Sequence, residues 1–551
     1  MSITRKLEIA KKIPFALLIY TLIPRFLGVE LPISDSFHVG EYFAAATTLW
    51  NEPASSPLTI HGGWDFIPAI AARWLAGGEN YFYPTIYLTE SVAPALAAGI
   101  LLLLLTRILR GKINWPIIIF LSTAAIAAPY LVGIRDLFLV TNCWILYEYM
   151  TQKLSIRSKR MAVLLVIISS LGVVWSFERG IAGVVTVLTT LLSAAYFEKK
   201  AIYLKTSSLV VIGASLIIAI AQLSGTMEYF YNLSFLAQIS SQWRYVFGQI
   251  VIRDSLLAIV FVASTIAATI SANKSENRGY LSAYWLGIGA CALMMLRIGT
   301  NRADMGHVVM AMWAPLILTA YSYSTRKESS DKPSIAVTLP VFSMVAYFSW
   351  YYAYKWGVMP LPILAISFSS SFMWLQQLGR TYRIRVFLTS ISLWIILLSL
   401  AESTWTHALA AKGVLKGRIV TPLEYLYKGV AYSRVADPGN AWAAKSIRDS
   451  HSKCLLDMTN SGIINAGADL PNCIQESYPV YASKLFEEKI LREIADMKAN
   501  AIVYSTENWQ YFVHGKDMKV RFPRVDELLI SNYPEIECRE KYCIRRKKTM
   551  D

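Results

Sequence analysis

Ser34-Asp35-Ser36-Phe37-His38-Val39-Gly40-Glu41 follows directly on the first apolar segment of the chain, and its reading governs how the rest is understood. Written as a helix, it puts Asp35, His38 and Glu41 at i, i+3 and i+6, within a sector of roughly 120° on one face. Two carboxylates and an imidazole then stand together where the chain leaves an apolar segment. A plainer reading makes Asp35 an N-cap with a solvated first turn. The surroundings decide between the two.

Working outward, 55% of the 551 residues are hydrophobic and 16% are charged, against about 25% charged in an ordinary soluble domain. Apolar stretches long enough for a membrane helix, ~20 residues, run near 13 to 30, 84 to 106, 116 to 133, 137 to 150, 161 to 177, 180 to 196, 207 to 224, 254 to 272, 281 to 296, 306 to 323, 334 to 351, 358 to 376 and 386 to 402. The expected fold is a polytopic α-helical membrane protein with about thirteen spans. The basic start, Met1 to Lys12, lacks a small-residue cleavage site after it, so the first segment is expected to remain as an anchor.

The net charge of +16 is of the sign that nucleic acid attracts, but the lysines and arginines sit in short clusters between apolar segments, as at 107 to 112, 153 to 160, 199 to 205, 274 to 278, 326 to 332 and 380 to 385. That is positive-inside anchoring, which places these clusters and the N-terminus in the cytoplasm and argues against nucleic acid as a partner. The alternate connections carry mixed acid and base groups hard against segment ends: Asp35, His38 and Glu41; Arg135 and Asp136; Glu178 and Arg179; Arg297, Arg302, Asp304 and His307. Ionisable groups at such positions line a cavity or pair with one another. Taken singly, each doublet reads as an inter-helix ion pair; taken together on the outer side, they suggest a shared site.

An odd number of spans puts residues 403 to 551 on that same outer side. Cys454, Cys473, Cys538 and Cys543 all lie there, as an oxidising compartment would allow, whereas Cys143 and Cys291 fall in apolar segments. Four cysteines permit three pairings, of which Cys454 with Cys473 and Cys538 with Cys543 are the most local. A strand at Cys454 to Asp457, a helix over 483 to 498 and a strand at Ala501 to Tyr504 make this region a small α/β domain. The expected division is a membrane domain over 1 to 402, with a first outer loop at 31 to 83 of short interfacial helices, and a soluble domain over 403 to 551.

Chemically, the outer set suits transfer of a sugar to a hydroxyl. Asp35 is the candidate base for the acceptor proton, with His38 and Glu41 orienting it or holding a divalent cation such as Mg or Mn. Arg297, Arg302 and His307, with Asp304 steadying an arginine, are candidates for gripping a lipid-linked phosphate; Arg135 and Arg179, backed by Asp136 and Glu178, are a second rank.

On these residues the chain resembles the GT-C superfamily of polyprenyl-phosphate-sugar glycosyltransferases over essentially its whole length: an acidic residue in the first outer loop, here Asp35 with Glu41, a polytopic core, and an outer C-terminal domain. The short acidic pair with one intervening residue familiar in that superfamily is absent, since Asp35 and Glu41 are six apart. The resemblance implies a bacterial inner-membrane enzyme with a periplasmic C-terminal domain. It implies inverting transfer from an undecaprenyl- or decaprenyl-phosphate sugar to a cell-surface glycan, a lipid-linked oligosaccharide or a protein. Two other readings stay open: an O-antigen polymerase or ligase using a diphosphate-linked donor, and a transporter or flippase, which would carry charge near mid-span, where Glu90 is the clearest case.

Overall fold

The computed structural model describes residues 12–33, 36–59, 63–76, 80–109, 114–151, 156–244, 279–302, 313–324, 366, 369, 382–459, 461–479, 487–505 and 518–547. In chain order the elements used below are α1 (Ile13–Leu27), β1 (Val29–Glu30), α2 (Ser36–Asn51), α3 (Ile67–Ala76), α4 (Phe82–Leu109), α5 (Trp115–Leu131), α6 (Leu137–Thr151), α7 (Ile156–Trp175), α8 (Phe177–Glu198), α9 (Ala201–Leu223), α10 (Tyr229–Arg244), α11 (Gly279–Arg302), α12 (Trp313–Ser324) and α13 (Tyr382–Leu415). There follow β2 (Ile419–Val420), α14 (Pro422–Lys428), α15 (Pro438–Asp449), β3 (Leu456–Asp457), α16 (Ile463–Ala468), α17 (Glu487–Asp496), β4 (Ala501–Ser505), α18 (Pro523–Asn532), β5 (Glu535–Arg539) and β6 (Tyr542–Arg546).

Among the described residues three helices, α4, α8 and α9, are long and apolar enough to cross a membrane, and α5 with the Ile134–Thr151 helix forms a further pair bent by 110°. The chain is an integral membrane protein. The expected segments near 254 to 272 and 334 to 351 lie outside the described residues, as does most of 358 to 376. The apolar stretch expected at 386 to 402 belongs to α13, which continues unbroken to Leu415.

The chain forms two compact units. The first takes in Met1–Phe26, Val92–Ile217 and Phe247–Ala411. Its helices meet where side chains are small: a Cβ on Gly180 of α8 would stand 2.2 Å from the Gly172 carbonyl oxygen of α7. Close backbone approach of this kind is how helices associate where no hydrophobic effect drives them together. In the same unit α1 lies along α13, with Tyr20 Oη 2.7 Å from Thr404 Oγ1, His407 Nε2 2.8 Å from the Tyr20 carbonyl and the two rings stacked at 4.3 Å.

The second unit takes in Leu27–Ser91, Ile218–Val246 and Lys412–Asp551, joining stretches that a boundary at 402 keeps apart. Its sheet runs β3-β4-β6-β5, with β3 parallel to β4 and the other pairs antiparallel. Alternation along the strands divides its core in two. Leu456, Ile502, Tyr504 and Cys543 face one cluster, and Leu455, Ala501, Val503, Tyr542 and Ile544 face the other, as period-two strands require. Cys454 is disulfide-bonded to Cys473, and Cys538 to Cys543 across the β5–β6 hairpin.

β1 pairs with β2, Val29 opposite Val420, so the chain leaving α1 is hydrogen-bonded to the chain leaving α13. The α10 segment joins as well. Tyr231 donates to Glu476 Oε1 at 2.6 Å, and Glu228 N–H donates to Ser56 Oγ at 2.9 Å. These three stretches therefore belong to one compact unit.

Candidate functional site

α2 carries the acidic stretch quoted at the outset, beginning at Ser36. Asp35 lies outside the described residues. His38 is half-buried in the first turn, and from Val39 to Thr48 every residue is buried, Glu41 among them at 1% exposure. A helix buried on all sides usually belongs to a core, and carrying a carboxylate there is costly unless it is satisfied. Such a position is characteristic of a working group or of one that orders the groups beside it.

What holds α2 is a series of contacts with the C-terminal stretch. Gly40 abuts the Ser461–Gly462 turn: a Cβ on Gly40 would lie 1.7 Å from the Ser461 carbonyl oxygen, and one on Gly462 would lie 2.0 Å from the Gly40 carbonyl oxygen. Two glycines therefore meet backbone to backbone, and Gly462 also takes φ of +58°, where a Cβ is disfavoured. About two turns on, the Thr48 hydroxyl accepts from Asn472 N–H at 3.0 Å. At the C-terminal end Asn51 donates to the Asp469 carbonyl at 3.1 Å. Arg73 of α3 reaches the same Asp469 at 2.6 Å while its guanidinium lies over Trp50 and Tyr81, 4.9 and 5.0 Å from their ring centroids.

The turn gripping Gly40 is itself organised by Asp457 at the end of β3. Asp457 Oδ1 accepts from Thr459 N–H at 2.7 Å and Thr459 Oγ1 at 2.5 Å, and Oδ2 from Gly462 N–H at 3.2 Å. Ser461 then donates to Asn440 Oδ1 of α15 at 2.8 Å. Burial is the first cause that pushes the Asp457 carboxyl up to about 6, against the pull of those donors. Loops after the carboxyl ends of parallel strands commonly present functional groups in α/β folds, and here the loop after β3 seats α2.

Gly40→Ala tests this seat. Its methyl cannot be accommodated without moving α2 or the turn, an overpacking cost of typically 1–3 kcal/mol, whereas Ala is otherwise the better helix residue by about 1 kcal/mol. The expected outcome is loss of stability in the second unit and faster proteolysis between residues 31 and 83. A variant as resistant as the native chain would show that the two backbones are not in contact.

The remaining predicted residues fall in the first unit. Asp136 caps the turn after α5 by accepting from Gly133 N–H at 3.0 Å, and receives Arg179 Nε at 3.3 Å; Arg179 Nη1 meets Glu178 at 3.2 Å. Arg179 and Asp136 are both buried, so the two doublets interlock as the inter-helix pair that each allowed on its own. Arg135 is half-buried beside them, and Arg297 is exposed near the end of α11. Arg302 closes α11 with its side chain outside the described residues, and Asp304 and His307 lie outside them altogether. Among the described residues no three His, Cys, Asp or Glu side chains come close enough to hold a metal ion; the expected set of Asp35, His38 and Glu41 includes one residue beyond them.

Sequence reasoning passed over Asp457 and Asp469 as groups that position α2, and Glu476 with Lys489. Lys489 Nζ bridges Glu476 at 3.1 Å and Glu493 at 2.8 Å while standing 4.3 Å from the Tyr231 ring centroid. Burial and the nearby Glu476 raise the Glu493 carboxyl. The available signal for Asp457 was an Asp closing a strand, followed at once by Thr459, Ser461 and Gly462, a turn-forming run.

Neither a protein-family model nor a curated protein matches the chain. Among solved structures it is similar to ArnT from Cupriavidus metallidurans bound to undecaprenyl phosphate, at 11% identity and a TM-score of 0.47 over 98% of this chain and 98% of that one. It is similar to the same protein in the apo state at 11% and 0.43, over 97% and 96%. It is also similar to the oligosaccharyltransferase of Archaeoglobus fulgidus in complex with Zn and sulfate, at 14% and 0.42, over 90% of this chain and 68% of that one. At these values the functional reading rests on the residues themselves.

Proposed function

We propose that the chain is a membrane glycosyltransferase of GT-C type that moves a sugar from a polyprenyl-phosphate donor to a hydroxyl of a cell-surface glycan, lipid-linked oligosaccharide or protein. In this reading the second unit faces the periplasm of a bacterial inner membrane. The observation that carries it is the seating of α2: the helix that opens immediately after Asp35 is buried, bears His38 and Glu41 in its first turns, and is held by a turn from the far end of the chain. A general base must be held to within about half an ångström of its working position against the hydroxyl whose proton it takes.

Asp35 takes the proton from the acceptor hydroxyl as its oxygen attacks the anomeric carbon from the face opposite the phosphate. The carbon–oxygen bond to the phosphate breaks, and the polyprenyl phosphate leaves with the electron pair. Configuration at the anomeric carbon inverts. His38 and Glu41 orient Asp35 or the sugar hydroxyls. Arg297 and Arg302, with His307, stabilise the charge on the departing phosphate. Arg179 has no part in that grip in this scheme, because its Nε and Nη1 are bonded to Asp136 and Glu178.

The test is transfer of labelled sugar in membranes loaded with lipid-linked donor, native chain against Asp35→Asn at matched expression. Asparagine keeps the size and hydrogen-bonding capacity but cannot take a proton. A fall of about 10² or more is expected from loss of a general base. Unchanged transfer would make Asp35 a cap, and would move the arginine-based polymerase or ligase scheme ahead.

A further inference from the structure

α14 is a seven-residue helix capped by Thr421, whose hydroxyl accepts from Glu424 N–H at 3.1 Å, and ended by Gly429. Its inner side is fixed to the first outer loop: Tyr425 stacks on Tyr83 with centroids 4.7 Å apart and donates to the Asn80 carbonyl at 3.2 Å. Arg434 locks it to the end of α13, giving Nη1 to Glu424 at 2.8 Å and Nη2 to the Gly417 carbonyl at 3.0 Å. The opposite side is apolar and bare. Leu423, Leu426 and Tyr427, at i, i+3 and i+4, are 63%, 76% and 82% exposed, and Leu415 at the end of α13 is 88% exposed. Lys412, Lys416, Arg418 and Lys428 flank them along the chain, all exposed.

We propose that this face is immersed in the headgroup region of the leaflet on the side of the second unit, as an interfacial anchor contacting anionic phospholipid. Three observations select the bilayer as occupant. The contacts of Tyr20 with Thr404 and His407 run α1 and α13 alongside one another, and the β1–β2 ladder joins the two chains just past Leu27 and Leu415. The first apolar segment and α13 therefore end side by side, and α14 starts seven residues beyond Leu415. An apolar stripe with an aromatic member and a rim of lysine and arginine is the composition that such an interface selects. Each basic side chain near an anionic surface adds to the attraction. The proposal does not depend on transferase activity.

The test places a nitroxide at Leu426→Cys in the full chain, with Cys143 and Cys291 replaced by alanine and the two disulfides intact. The protein is held in nanodiscs of phosphatidylcholine and phosphatidylglycerol, and collision rates with dissolved oxygen and with a neutral nickel chelate are compared with those of a label at exposed Glu535→Cys. Immersion predicts nickel accessibility lower at 426 by about fivefold or more with oxygen accessibility at least equal, as for a side chain at headgroup depth. Equal nickel accessibility at the two sites overturns the proposal. So does low nickel accessibility accompanied by dipolar broadening between labels, which would make the face a contact between two copies of the chain.

Discussion

Asp457→Ala is expected to cost the second unit about 3–5 kcal/mol, because Thr459 N–H, Thr459 Oγ1 and Gly462 N–H all lose their acceptor in a buried place, at about 1–3 kcal/mol each with partial relaxation. For a unit of this size that lowers the thermal midpoint by roughly 10 °C, read by calorimetry or near-ultraviolet dichroism. A midpoint within a degree or two of the native value would mean that the turn holds its shape without the carboxylate. Asp457→Asn separates charge from shape. It keeps an acceptor towards Thr459 but offers an amide donor to Gly462 N–H, so it is expected to be intermediate at low pH. The native carboxyl titrates near 6 rather than 3.8, so the folded state holds its proton more tightly than the unfolded chain. Stability from this group is therefore complete below about pH 4 and is lost as pH rises through 6, by about 3 kcal/mol. The Asn variant should lack that slope. An identical pH dependence in both proteins would place the titration elsewhere.

Arg179→Ala carries the second large effect. It strands Asp136, 1% exposed, without its guanidinium; breaking a buried pair by removing one partner costs about 3–5 kcal/mol. The double variant Arg179→Met with Asp136→Leu should recover most of that loss, since apolar groups of similar volume often replace a buried pair at little cost. Thermal unfolding in detergent, arranged as a double-mutant cycle with transfer activity followed in parallel, distinguishes two roles. A structural pair gives a large coupling energy and activity that returns with stability. A phosphate grip gives activity that stays lost in the stable double variant.

The parts of this molecule legible in the sequence are those whose signal is local. Ala501 to Ser505 reads as a strand because five small or β-branched and aromatic residues alternate between two packed faces, and the two cysteine pairs nearest in sequence are the ones that bond. The doublets at 135–136 and 178–179 announced charge pairing, but not that Arg179 would bridge to Asp136 of the other doublet, because nothing in either doublet names its partner. Gly40 meeting Ser461, and Asp457 ordering that turn, left no periodic trace: one backbone passing another demands only the absence of a side chain, and glycine has many other reasons to occur. The helix α2 could be foreseen from its residues; the surface that buries it could not.

The clamp on α2 also sets a timetable. Thr48 and the Asn472 that bonds it are 424 residues apart, so during synthesis at about 5–20 residues per second the first outer loop is complete for tens of seconds before its counterpart exists. Until then the apolar flank of α2, Ala44 to Ala46 with Phe43, has none of its C-terminal cover. A stretch made late thus completes the enclosure of one made early, and a nascent chain halted before residue 457 would carry α2 without the turn that seats it.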